Sequence, residues 1–147
     1  MKKIILLIII VLLTGCSTKH ITCTMDKENE SMDYTLNAKY DIYYKGKYVT
    51  KVVKKETYST VNKDTYNYLS KAKDLEYSML NSAYGGYNYK IDLIDNSVII
   101  NTTIKIKDLD VEKLVSDKKI DKYYTAKEKI LLSGLKRHYE EKGAICE

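Results

Sequence analysis

The sequence predicts an α+β fold: two antiparallel β-hairpins forming a sheet, a long helix between them and a C-terminal helix packed on it. Two observations carry this reading. Residues 34–44 and 87–106 alternate apolar and polar side chains around turn-forming residues, and residues 63–84 repeat apolar side chains at steps of three and four. A chain of 147 residues has room for one domain, and with no Pro and six Gly it is neither collagen-like nor Pro-rich. Because Phe and Trp are absent, the 15 tyrosines must fill the aromatic core positions.

In the first hairpin Tyr34, Leu36, Ala38, Tyr40, Ile42 and Tyr44 share one face, and Thr35, Asn37, Lys39, Asp41 and Tyr43 share the other. Lys45-Gly46-Lys47 supplies the turn, where glycine accepts positive φ at little cost. The returning strand alternates poorly. A two- or four-residue loop places Val49 and Val53 on the apolar face, and a three-residue loop places Tyr48 and Val52 there. Asn62 can cap the long helix, Gly85-Gly86 can stop it, and Tyr68, Leu69, Ala72, Leu75, Met79 and Ala83 form its expected core stripe.

The second hairpin is the clearest pattern in the chain. A two-residue Asp95-Asn96 turn pairs Leu93 with Val98, Ile91 with Ile100, Tyr89 with Thr102 and Tyr87 with Ile104, all on one face. Residues 108–115 suit a short helix. Thr125-x-x-Glu128 reads as a capping box opening a last helix to about residue 142, with Ile130, Leu131, Leu135 and Tyr139 inward and Gly143 at its end.

Residues 1–15 stand apart from this fold. Lys2 and Lys3 precede an unbroken apolar run over residues 4–13, too short to span a bilayer and of the length of a secretory h-region. The run ends in Leu13-Thr14-Gly15-Cys16, which looks like a bacterial lipobox: the Cys16 thiol takes a diacylglyceryl group, and small Thr14 and Gly15 admit a peptidase. Two acyl chains suffice for stable anchoring. The expected organisation is a lipoprotein signal peptide at 1–15, a lipidated N-terminus and tether at 16–22, and one domain at 23–147. The seven steps from Cys16 to Cys23 reach at most about 25 Å. The location is then the extracytoplasmic face of a bacterial membrane.

Removal of Lys2 and Lys3 lowers the formal charge from +5 to +3. Nucleic acid is excluded as a partner by location and by composition, since Arg137 is the sole arginine and no RNA- or DNA-binding signature is present. Export also leaves Cys23 and Cys146 where disulfides persist, and a bond between them would staple the two ends of the domain. The alternatives are free or intermolecular thiols, or a zinc site drawing on His20, Cys23, His138 and Cys146, whose spacing matches no known finger.

The lipobox, then Tyr43-Tyr44-Lys45-Gly46 running into Val49 and Lys51, Glu56-Thr57, the helix, the hairpin over 89–106, the Asp108-Leu109-Asp110 corner and a closing helix ending in glycine come in an order that resembles the YehR-like family of small bacterial lipoproteins. The resemblance covers nearly the whole mature chain. It implies a lipid-anchored extracytoplasmic α+β domain with no established activity, and so supplies no catalytic residues. The chain departs from enteric members in having Cys23 and Cys146.

No G-x-S-x-G, H-E-x-x-H, phosphate loop or EF-hand occurs, and Asp92 and Asp95 read as strand-edge and turn residues. No catalytic residue, metal ligand or cofactor is therefore assigned. The expectation is a non-catalytic module binding an envelope protein, glycan or small ligand at the membrane surface, with Tyr43, Tyr48 and Tyr84 as candidate contacts and Tyr43 the most outward. The alternatives are a structural envelope component, or a metal-binding or enzymatic domain.

Overall fold

The computed structural model describes residues 18–147; residues 1–15, expected to be a signal peptide, and Cys16, expected to be lipidated, lie outside them. Strands β1 (Lys19–Asn29), β2 (Tyr34–Lys45), β3 (Tyr48–Ser59), β4 (Tyr87–Ile94), β5 (Ser97–Lys105) and β8 (Ile145–Cys146) form one antiparallel sheet in the order β4-β5-β3-β2-β1-β8. Helix α1 (Lys63–Tyr84) links β3 to β4, with β5 between those two strands. A 3-10 turn (Ile106–Asp108), α2 (Val111–Ser116), the two-residue strands β6 (Thr125–Ala126) and β7 (Lys129–Ile130), and α3 (Leu132–Glu140) follow. The α+β architecture expected from the sequence is present.

The buried side chains of β1, β2, β3 and β5, including Cys23, Tyr40, Ile42, Val52 and Ile100, meet Leu69, Tyr77 and Tyr84 of α1, Val111 and Leu114 of α2 and Leu135 of α3. The core therefore lies between one face of the sheet and the helices. The opposite face carries Asn37, Lys39, Lys55 and Asn101 exposed to solvent. The β4–β5 register is the one the alternation predicts, from Leu93–Val98 through Tyr87–Ile104.

In the first hairpin Lys45 pairs with Tyr48 across a two-residue turn, but a bulge follows, so that Tyr44 opposes Val49 and Tyr43 opposes Lys51. The extra residue, Thr50, reverses the in-out phase of the strand. Val49 and Val52 are consequently both buried, although each belonged to a different expected register.

Four expectations are corrected. Residues 19–22, read as tether, pair with β2 as the start of β1, whose Ile21, Cys23 and Met25 point to the core. Half of the expected α1 stripe faces outward: Tyr68, Leu75 and Met79 are 57%, 62% and 61% exposed, whereas Leu69 is buried, Ala83 packs on the core, and Tyr77 and Tyr84 are buried instead of the outward three. The Thr125-x-x-Glu128 box caps nothing. Lys127 and Glu128 take positive φ and turn β6 into β7, and α3 starts at Leu132, whose amide donates to the Lys47 carbonyl at 2.9 Å. Tyr84, a candidate contact, is 6% exposed, and its hydroxyl donates to Asp117 at 2.9 Å.

Close approach explains two glycines. A Cβ on Gly86, whose φ is 70°, would meet the Leu109 side chain and the Lys105 carbonyl at 2.9 Å. One on Gly134 would meet Tyr124 at 2.5 Å, so α3 packs on Tyr124 only because residue 134 has no side chain.

Candidate binding surface

Three turns distant in sequence meet at one end of the sheet. The bulged β2–β3 turn brings Lys45, Tyr48 and Thr50; the corner after β5 brings Ile106, Lys107, Leu109, Asp110, Val111 and Glu112; the β6–β7 turn brings Lys127, Glu128 and Lys129. They enclose an open groove of about 670 Å³. Its floor includes buried Val49, Ile106 and Val111, and its rim is charged. Backbone bonds hold the walls: Tyr48 bridges Leu131, and the Leu132 amide reaches Lys47. The Tyr48 ring is flanked by the ammonium groups of Lys47 at 5.4 Å and Lys129 at 5.2 Å. An aromatic ring under two cations, beside an apolar floor, suits an amphiphilic or anionic partner.

A second concavity, about 360 Å³, opens between α1 and the end of α3 over Met25, Leu36 and Tyr58. Burial pushes the Tyr58 phenol up to about 12, and the Lys73 ammonium lies 4.8 Å from its ring while pairing with Glu76 at 2.7 Å. Deeper in the sheet face, Glu56 is 7% exposed; it accepts from the Tyr77 hydroxyl at 2.5 Å and pairs with Lys54 at 3.1 Å. Burial, and then the charge of Glu56, raise the Tyr77 phenol well above its usual range. This cluster is sealed under α1, so its chemistry is that of a satisfied buried polar group.

The sequence-derived candidates separate. Tyr48 lines the groove. Tyr43 lies on the solvent face of the sheet, but its ring is stacked with His20 at 5.4 Å and faced by Lys51 at 4.0 Å, so neighbours within the chain already cover it. Tyr84 belongs to the core. Cys23 and Cys146 are directly opposed in the β1–β8 pair and joined in a disulfide, flanked by reciprocal hydrogen bonds between Thr22 and Glu147. With both sulfurs in that bond, no thiolate remains for the zinc alternative, and no group of three or more His, Cys, Asp or Glu suited to a metal occurs among the described residues. His138 packs edge-on against Tyr124 and Tyr139, and burial with nearby Lys142 lowers its pKa. Asp92 pairs with Lys90 at 2.6 Å, and Asp95 occupies a positive-φ turn position. The groove residues Lys107, Glu112, Lys127 and Lys129 carried no local signal, because only the tertiary fold assembles them.

A six-stranded antiparallel sheet with helices on one face, the long one inserted between two hairpins, defines the class: a small two-layer α+β domain. The fold is shared with two proteins solved by NMR. One is the YehR protein of E. coli, with a TM-score of 0.60 and 16% identity over 90% of this chain and 92% of that one. The other is a protein from Streptococcus pneumoniae TIGR4, with a TM-score of 0.56 and 16% identity over 89% and 86%. No protein-family model and no curated protein matches the sequence.

Proposed function

We propose that this chain is a lipid-anchored extracytoplasmic lipoprotein of the YehR-like kind, acting as a non-catalytic binding module at the membrane surface. The observation that carries the reading is the position of the groove relative to the lipobox. Lys19, the first residue of β1, pairs with Tyr44, next to the Lys45 of the groove wall, and Lys19 is three steps from Cys16. Those steps reach about 11 Å at most, less than half the tether read from the sequence. A groove so close to the anchor serves partners in or at the bilayer. The shared fold with YehR supports the kinship, and the apolar floor with its charged rim supports binding.

The test is fractionation with intact-mass measurement. The chain extracted from membranes should carry a diacylglyceryl mass on Cys16, and Cys16→Ala should move it to the soluble fraction. A Cys16 without lipid in membrane-extracted protein would refute the anchoring.

A further inference from the structure

The two ends of the sheet differ in charge. At the groove end lie the exposed lysines Lys19, Lys45, Lys47, Lys107, Lys127 and Lys129. At the opposite end exposed Glu28, Glu30, Asp33, Asp64 and Asp95 outnumber the exposed Lys27 and Lys63, near the β1–β2 turn, the start of α1 and the β4–β5 turn. Backbone geometry accounts for part of the acidic set, since Asp33 and Asp95 have φ near +50° and Asp tolerates that region. It does not account for Lys127, which takes φ of 49° although lysine has no preference for it. Six cations elsewhere are matched with acids, Lys39 with Asp41, Lys54 with Glu56, Lys73 with Glu76, Lys90 with Asp92, Lys136 with Glu140 and Arg137 with Glu141, while others such as Lys55, Lys71 and Lys119 are not, so what marks the groove end is the gathering of its lysines rather than their lack of partners. At the groove end, among the described residues, Lys107 and Lys127 have no such acid, and Asp110 is turned to accept the Lys113 amide at 2.9 Å. Glu112 and Glu128 share the rim.

We propose that the groove end is a docking surface for the anionic headgroups of the anchoring bilayer, with Lys47, Lys107, Lys127 and Lys129 as its contacts. The proposal rests on lipidation of Cys16. It adds an orientation that the anchor alone does not impose. A tether of three steps holds this end within about 11 Å of the lipid, comparable to the reach of charge at physiological ionic strength. The acidic end then points away from the negative surface, so attraction at one end and repulsion at the other favour the same upright pose. Each lysine brought to an anionic surface contributes about fivefold to the docked population.

The experiment uses the full lipidated chain, purified from membranes and reconstituted in phosphatidylcholine vesicles with or without phosphatidylglycerol, followed by amide hydrogen exchange. On anionic vesicles the turns at 45–48 and 105–110 should exchange at least about fivefold more slowly than on neutral ones, and the turns at 30–33 and 95–96 should be unchanged. High salt should erase the difference. The triple variant Lys47→Glu, Lys107→Glu, Lys127→Glu should lose it while exchange in β2 and β5 shows that the fold is intact. Equal rates at the basic turns on both vesicles, or slowing at the acidic turns, would overturn the docking. Intact mass separates the two failures: lipid on Cys16 without selective slowing removes the docking alone, and absence of lipid removes the anchoring and the docking with it.

Discussion

Two halves of one sheet face are covered by different means. Over β1 and β2 the cover is short: α3 spans nine residues, and the disulfide from β1 to β8 fixes the strand that follows it. Over β3, β4 and β5 the cover is α1, 22 residues long, yet only Leu69, Tyr77 and Tyr84 of it are buried. Its seat is partly polar, through the hydrogen bond from Tyr77 to Glu56 and the ion pair from Glu56 to Lys54. Helix length therefore does not set how firmly a helix is held. A covalent bond holds the short cover, and a few side chains around one buried carboxylate hold the long one.

Breaking the covalent half should cost most. The disulfide spans 123 residues of sequence, and chain entropy assigns about 4–5 kcal/mol to a loop of that size. Cys146→Ser should lower the urea midpoint accordingly and release amide protection in β1 and β8 before α1; unchanged stability would remove the contrast between the halves. The polar half should break at Glu56. Glu56→Ala leaves the Lys54 ammonium and the Tyr77 hydroxyl unmatched, at about 3–5 kcal/mol, whereas Tyr77→Phe should cost about 1–3 kcal/mol. If Glu56→Ala proved milder than Tyr77→Phe in denaturant titrations, the carboxylate would not be the seat of α1.

Alkali should sharpen the comparison by striking both halves. Burial raises the phenols of Tyr40 and Tyr139 in one half and of Tyr58 and Tyr77 in the other, Tyr58 up to about 12. A folded-state pKa above the unfolded value of 10.0 means stability that is whole below pH 10 and lost as pH rises toward the folded values. Urea midpoints should thus fall steeply from about pH 10, and Tyr40→Phe should blunt the fall. A flat profile to pH 12 would contradict the phenolic core. The smallest effect belongs to the outer stripe of α1: Met79→Lys should change stability by no more than about 0.5 kcal/mol, since that side chain is mostly in water.

Particular residues show what was legible in the sequence. The β4–β5 register was readable because alternation in both strands and the Asp95-Asn96 turn specify the same pairing. The ends of α1 were readable because Asn62 accepts from the Asp64 and Thr65 amides and Gly85-Gly86 must approach the 105–109 corner. The buried face of α1 was not, since Leu75 and Met79 outrank tyrosine in hydropathy while Tyr77 has a partner in Glu56. Strand β1 left a weak trace, Ile21, Cys23 and Met25 at alternate positions among polar residues. The Thr50 bulge and the turn at Lys127 and Glu128 left none, because each depends on what the rest of the fold presses against it. The groove shares that invisibility, being made of three turns.

The β1–β8 pairing also decides how the molecule bears load. In an antiparallel pair, the start of β1 and the end of β8 emerge on the same side, with Thr22 beside Glu147. A pull between Lys19 and residue 147 would peel the two strands apart one hydrogen bond at a time, the geometry of a zipper. Within that pair only the Thr22–Glu147 bonds precede the cross-link among the described residues, so the peel of β8 from β1 stops at Cys23 after a single step. From there tension crosses from β1 to β8 through sulfur, and the share that leaves this line is what residues 19–22 pass to β2 through their pairing with residues 41–44.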